Sequence, residues 1–290
     1  MILSSMNADA AVSPDSPPVA YLGPEGTFTH FVARQRFGEN HPLTPLPSVE
    51  AVFDYLKDHP EAVGIVPIEN SSGGIITATV DRILDESARI QVREEIALNV
   101  KLALLGREGD TIVRIYSHFA PFQHCERWLR EHYPEARQIT APSTSNAIIF
   151  ASQEPGSAAI GARESGARYG LEVLHYPLQA EVPNVTQFFI VGLEPNPVSP
   201  ENHKTSLAVE LPDASGSLFS FLEPFAKSGV NLKRIESRPI VGQPNKYRFF
   251  IEIQGSEADE TVREALKSAN AVSLRIRHLG SYPATRTFNS

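Results

Sequence analysis

Cysteine is nearly missing. Cys125 stands alone in 290 residues, which excludes an intramolecular disulfide and suits a reducing compartment. Long apolar runs are absent too: no stretch approaches the ~18 residues of a membrane-spanning helix, so no membrane is expected as a partner. There is no basic block, and the net charge is −8. Both features point away from nucleic acid and anionic lipid. Residues 1–18 contain no lysine, no arginine and no apolar core, so they read neither as a secretory signal nor as a transit peptide. They are expected to be a disordered tail on a cytoplasmic protein. His124 and His132 lack the partner spacing of metal ligands, and no metal site is expected.

What remains is ordinary for a soluble globular chain, with 41% hydrophobic and 21% charged residues. The length suggests about two domains. From Val19 onward, short apolar runs alternate with helical patterns. Val19–Leu22, Ala62–Ile68, Ile112–Tyr116, Ala136–Thr140 and Ala158–Gly161 read as strands. Thr27, Ser48 and Ser143 read as helix caps ahead of helical patterns. A helix is expected at Arg163–Tyr169, and the segment Ile90–Leu105 reads as two strands crossing between subdomains. This alternation implies an α/β fold with mostly parallel sheets.

Polar clusters recur where strands end: Glu69-Asn70-Ser71, Ser117-His118, Ser143-Thr144 and Asn184-Val185-Thr186. Ligands of α/β folds sit beyond the carboxyl ends of strands, so one cleft is expected. The longest cluster runs from Glu69 through Ser71 and Ser72 to Gly73-Gly74. Its glycines allow close backbone approach, and the helix beyond can present free N–H groups to an anion. Residues 194–203, rich in proline and asparagine, read as a linker. Beyond it the order β-α-β-β-α-β matches a ferredoxin-like module, with Ser256–Asp259 forming a capping-box pattern before the second helix.

In this order and spacing, Tyr21-Leu22-Gly23-Pro24-Glu25-Gly26-Thr27, Val66-Pro67-Ile68-Glu69-Asn70-Ser71, Tyr116-Ser117-His118, Gln123 and Cys125, Ser143-Thr144-Ser145, Tyr169-Gly170-Leu171 and Asn184-Val185-Thr186 resemble the prephenate dehydratase family. Gly216-Ser217-Leu218 and Ile235-Glu236-Ser237-Arg238-Pro239 resemble the effector motifs of an ACT domain. The resemblance implies a two-subdomain, periplasmic-binding-protein-like catalytic domain over 19–193. A ferredoxin-like (βαββαβ) ACT regulatory domain would follow over 204–282. It also implies conversion of prephenate to phenylpyruvate without a cofactor, phenylalanine as allosteric effector, and a homodimer or homotetramer.

Carried onto this chain, the resemblance makes Thr186 the catalytic donor. Glu69, Asn70, Ser71, Ser117, His118, Gln123, Ser143, Thr144, Gln187 and Phe188 are the substrate-binding candidates. Gly216, Ser217, Leu218, Asn231, Leu232, Glu236, Ser237, Arg238 and Pro239 are the effector-binding candidates. Several keep a second reading: Glu69 as a strand-end cap, Ser143 as a plain helix cap, His118 as filler of a strand end. Cys125 reads as core. The chain departs from the family where Thr-Arg-Phe becomes Thr186-Gln187-Phe188 and Ser-His-Pro-Gln becomes Ser117-His118-Phe119-Ala120. Losing a buried charge-assisted pair costs ~1.5–3 kcal/mol unless another cation, such as Arg163, replaces it. Ser217 for alanine and Lys233 for threonine are milder changes. Two alternatives stand beside this reading: an arogenate-preferring or otherwise redirected relative, or a catalytically weak amino-acid sensor.

Overall fold

In the computed structural model, residues 17–179, 182–197, 199, 201–240 and 242–290 are described. The expected tail lies outside them apart from Pro17 and Pro18. Their carbonyls accept hydrogen bonds from His41 Nε2 (3.0 Å) and Val63 N (2.9 Å).

The first lobe contains β1 (Val19–Leu22), α1 (Phe28–Phe37), β2 (Leu43–Leu46), α2 (Val49–Asp58), β3 (Val63–Asn70), β4 (Gly74–Ile75), α3 (Thr77–Leu84) and β5 (Gln91–Asn99). The second contains β6 (Ala103–Gly106), β7 (Arg114–Ser117), α4 (Phe119–His124), α5 (Glu126–His132), β8 (Arg137–Thr140), α6 (Thr144–Gln153), β9 (Ser157–Gly161) and β10 (Glu172–His175). The chain then returns to the first lobe as β11 (Val185–Gly192). Two crossings, one after Asn99 and one after His175, therefore join the lobes, which is the two-lobed arrangement the sequence implied.

The local reasons are those expected. Thr27, Ser48 and Ser143 cap α1, α2 and α6 through their hydroxyl oxygens. In α2, Val49, Val52, Phe53 and Leu56 fall on one face, and all four are buried. The sheets, however, are mixed rather than mostly parallel. β1 pairs in parallel with β2 and β3, and β7 with β8 and β9, but β11 runs antiparallel to β3 and β5, and β6 antiparallel to β9 and β10. The antiparallel strands flank the two crossings. The expected helix at Arg163–Tyr169 is two 3-10 turns, Arg163–Ser165 and Ala167–Tyr169, meeting at Gly166. A Cβ there would lie 2.8 Å from the Leu171 carbonyl oxygen, so the close approach of the following chain admits only glycine.

The C-terminal part comprises β12 (Lys204–Glu210), α7 (Ser217–Lys227), β13 (Leu232–Pro239), β14 (Tyr247–Gln254), α8 (Glu260–Ala271) and β15 (Arg275–Tyr282). Its strand order, β13-β14-β12-β15, is that of a ferredoxin-like sheet. Ser256 and Asp259 bond to each other's turn, but α8 begins after them, so the pattern closes the preceding turn rather than capping the helix. One face of this sheet is covered by α7 and α8, through Phe221, Phe225, Leu266 and Ala269. The other packs against the back of the first lobe: Ala208, Phe250, Leu279 and Tyr282 share a core with Val52, Phe53, Val66 and Phe189. A last strand, β16 (Arg286–Asn289), was not foreseen. It adds in parallel to β5 and packs Phe288 into the first lobe.

Candidate active site

The end of β3 and the start of β11 lie side by side and carry the densest group of candidates. Thr186 lies opposite Asn70, and Gln187 opposite Glu69. Successive strand residues face opposite ways, so Asn70 and Thr186 share one face of the sheet while Glu69 and Gln187 share the other. A register slip between Gln187 and Phe188 leaves Ile68 without a partner on β3. Such a bulge bends the strand and re-aims the side chains beyond it. Here Ile68 stays in the core and Asn70 is brought level with Thr186.

On the front face, Asn70 Nδ2 donates to Thr186 Oγ1 (2.9 Å) and to Asn184 Oδ1 (2.9 Å). Asn70 Oδ1 accepts from the N–H groups of Ser72 (3.0 Å) and Gly73 (2.9 Å), inside a turn that Gly74 closes at φ 75°. Both ends of the amide are thus engaged, which fixes its orientation. Thr186 receives a hydrogen bond, and among the described residues no acceptor takes its own proton. The hydroxyl is oriented and free to donate.

This face also carries Phe188 and Ile190, packed with Val32 and Ala33 of α1. Phe28 and Val100 belong at once to this core and to that of the second lobe. Thr186 therefore lies at the junction of the lobes. The loop that follows β1 meets the segment that follows β9. Ser165 Oγ donates to the Gly26 carbonyl, and Arg168 pairs with Glu25 at 2.6 Å. Beyond β8, α6 opens with Ser143 accepting from Asn146 N (3.0 Å) and donating to Asn146 Oδ1 (2.7 Å). Thr144 follows half-buried, with the unclaimed N–H groups of a first helical turn. His118 caps the start of α4 half-buried, its ring tilted against that of Phe119 with centroids 4.3 Å apart, and burial lowers its pKa below the ordinary 6.5.

The other candidates stand elsewhere. Ser117 is fully buried and donates to the Ile160 carbonyl (3.0 Å), tying β7 to the end of β9. Ser71 staples the returning chain, donating to Pro183 O (3.1 Å) and accepting from Val185 N (3.0 Å). Phe188 is core, and Gln123 is exposed on α4. Cys125 is buried among Leu102, Ile115 and Leu129, as expected of a core residue.

Glu69 and Gln187, expected at the cleft wall, are turned to the back of the sheet. There both meet Arg234 of β13. Its Nε donates to Glu69 Oε2 (2.9 Å), and its two terminal nitrogens donate to Gln187 Oε1 and Glu252 Oε2. Arg163, suggested as the compensating cation, pairs instead with Glu164 (3.0 Å) and lies 4.6 Å over the Tyr176 ring. Arg234 was missed by sequence reasoning. The available signal was Glu69 and Glu252, each set beside apolar strand residues, since carboxylates so placed need a cation.

In the C-terminal sheet, Gly216 takes φ 83° ahead of α7. Ser217 and Leu218 line a cavity of about 240 Å³ with Pro212, Tyr247, Phe249 and Leu274. Leu232 packs into the helix-covered core, whereas Asn231 is exposed and accepts from Gln254 N (2.8 Å). Ser237 lies opposite Phe249 and Pro239 opposite Tyr247, on the helix-covered side with that cavity. Glu236 lies opposite Phe250 and faces the first lobe. So does Arg238, which makes a fork to Asp81 on α3 at 2.6 and 2.8 Å. The expected effector residues are thus divided between the two faces of β13. Among the described residues no group of three His, Cys, Asp or Glu side chains could hold a metal, and no helix is long and apolar enough to cross a membrane.

Comparison with known proteins sets this geometry in context. The family model described as prephenate dehydratase matches residues 19–196, and that of the ACT domain matches 205–271. A bifunctional chorismate mutase/prephenate dehydratase of Pseudomonas aeruginosa is 34% identical over 267 residues, spanning 91% of this chain and 73% of that protein. A prephenate dehydratase of Methanocaldococcus jannaschii is 29% identical over 271 residues, covering 91% and 97%. The crystal structure of a prephenate dehydratase from Arthrobacter aurescens in complex with L-Phe superposes with a TM-score of 0.83 at 32% identity, covering 92% of this chain and 90% of that one.

Proposed function

The chain belongs to the prephenate dehydratase family of hydro-lyases, with an ACT domain behind the catalytic part, and on that premise we propose that it converts prephenate to phenylpyruvate on the route to phenylalanine, under feedback by phenylalanine. The observation that carries the reading is the Asn70–Thr186 pair, a threonine hydroxyl oriented by an amide and left with an unclaimed proton at the junction of the lobes.

The chemistry asks for little else. The ring carboxylate leaves as carbon dioxide, its bonding pair enters the ring, and the ring C–O bond breaks to give the aromatic product. The departing oxygen takes a proton and leaves as water. A free threonine hydroxyl is a very weak acid, so Thr186 acts as a donor that tightens as charge develops on the oxygen, and solvent supplies the net proton. The first-turn N–H groups of α6 at Thr144 and Ser145 suit one substrate carboxylate. Burial of His118 disfavours its charged form.

We assign residues 19–193 to catalysis, 194–203 to a linker and 204–282 to regulation. The ACT domains would pair two chains, and phenylalanine would bind on the helix-covered side, near Gly216–Leu218. The test is purified protein with prephenate, and separately with arogenate, followed by product mass and by phenylpyruvate absorbance, with and without phenylalanine. Phenylpyruvate formation suppressed by phenylalanine supports the reading. Faster turnover of arogenate redirects it, and no product from either at high enzyme concentration rejects it.

A further inference from the structure

Arg234 lies in the regulatory half of the chain, yet its guanidinium is buried among groups from both halves, with 8% of the side chain exposed. Besides Glu69, Gln187 and Glu252, it lies 3.6 Å from Glu95 Oε2 and 5.8 Å over the Phe189 ring. Two of its acidic neighbours are themselves fixed. Lys204 holds Glu95 at 2.5 Å, and Tyr282 donates to Glu252 at 2.5 Å while bonding Ser206 at 2.6 Å. One rigid fork therefore spans three strands: Glu252 on β14 of its own sheet, Glu69 on β3 and Gln187 on β11.

The two first-lobe partners are the immediate neighbours of the residues on the front face. Glu69 precedes Asn70, and Gln187 follows Thr186. Consecutive Cα atoms are ~3.8 Å apart, so a shift of either strand at its Arg234 anchor is felt one residue from the front-face pair. The same face of β13 carries Arg238, whose fork holds Asp81 on α3, the helix that follows the Glu69–Gly74 turn. At the far end of α3, Arg277 donates to the carbonyls of Ile83 and Leu84, and Arg248 to that of Leu84. Arginines of the C-terminal sheet thus hold Glu69, just before the turn bearing Asn70, and the last turn of α3, the helix that follows it.

We propose that Arg234 is the positioning residue that sets the geometry of the Asn70–Thr186 pair from behind, so that displacement of β13 by an effector is delivered to the catalytic hydroxyl. It takes over, from the regulatory domain, the place of a cation beside residue 187. Coupling between the domains then runs through a defined contact instead of through the general closure of the lobes. The inference rests on the dehydratase reading for its activity measurement but not for its structural one.

Two variants test it. Arg234→Lys keeps the buried charge but loses the fork, and Gln187→Leu removes one acceptor without stranding a charge. For each, kcat and KM for prephenate are measured with and without L-phenylalanine, L-phenylalanine binding is measured by calorimetry, and folding is checked by circular dichroism. The expected result is a fall in kcat of about tenfold or more with KM changed less than about threefold. Phenylalanine binding should hold within about threefold while its effect on turnover is largely lost. A merely structural role would lower the active fraction but leave the ratio of rates with and without phenylalanine unchanged, and that outcome overturns the proposal. Hydrogen exchange supplies the independent arm. Adding L-phenylalanine to the unaltered chain should change protection at 184–190, and the change should vanish in Arg234→Lys. Absence of turnover in the unaltered chain, with this exchange response intact, would reject the dehydratase reading and leave the coupling standing. Absence of any exchange response at 184–190 in the unaltered chain would reject the coupling.

Discussion

Replacing Thr186 by valine removes one hydroxyl and almost nothing else. The β-branched shape is kept, so the strand position is preserved. Asn70 Nδ2 loses one acceptor but retains Asn184 Oδ1 at 2.9 Å. The stability loss should therefore be that of a single partly replaced hydrogen bond, ~0.5–1.5 kcal/mol, or a few degrees in Tm. The catalytic loss should be far larger. Removing a donor aimed at developing oxygen charge typically costs ~10²–10³ in kcat, about 2.7–4 kcal/mol of barrier. KM should change little, because a leaving group's charge exists only in the transition state. Thr186→Ser keeps the donor and should stay within about tenfold of the unaltered rate, limited by the added rotamer freedom of serine. The assay is phenylpyruvate formation at saturating prephenate, with Tm measured on the same preparations. If Thr186→Val kept more than about a third of kcat with its fold intact, the role of a positioned donor would be refuted.

Other outcomes rest on the same geometry. Ser143→Ala removes the cap of α6 and should cost ~1 kcal/mol of stability in urea unfolding, and it should raise KM for prephenate if the α6 N-terminus holds a carboxylate. Arg277→Met removes the side-chain donor to the Ile83 carbonyl and leaves that of Leu84 to Arg248 alone, and it should lower stability by ~1–3 kcal/mol, read as a drop in Tm. Burial holds His30, His118 and His124 below the ordinary 6.5. The unfolded chain then binds more protons in the interval below that value, so stability is full above it and falls as pH drops, by at most ~1.4 kcal/mol per pH unit for each histidine. Urea unfolding between pH 7.5 and 5.5 should show this decline, and a flat profile would contradict it.

Most of the fold could be read from local pattern. The capping hydroxyls at Thr27, Ser48 and Ser143 and the apolar face of α2 act within a few residues, and the structure uses them as the sequence suggests. What escaped was settled by distant partners. β16 has one large apolar residue, Phe288, and becomes a strand only because β5 offers an edge almost two hundred residues earlier in the chain. Strand direction near the crossings could not be inferred from alternation of elements. Within the site, Asn70 and Thr186 were legible as a strand-end pair. Glu69 and Gln187 face away from Asn70 and Thr186 through the period of two combined with a bulge at Ile68, a feature without a composition signal. Arg234 escaped because the neighbouring motif at Glu236–Pro239 claimed β13 for effector binding, whereas the face of that strand with Arg234 and Arg238 is given over to holding the catalytic lobe.

The central claim is that chemistry occurs on the Asn70–Thr186 face and control arrives on the Glu69–Gln187 face. A crystal structure of Thr186→Val soaked with prephenate tests it most directly. The account predicts ligand between the lobes, its ring hydroxyl within hydrogen-bond reach of where the threonine oxygen would be, and a carboxylate at the start of α6. Prephenate bound instead against Gln187 and Arg234, behind the sheet, would contradict it.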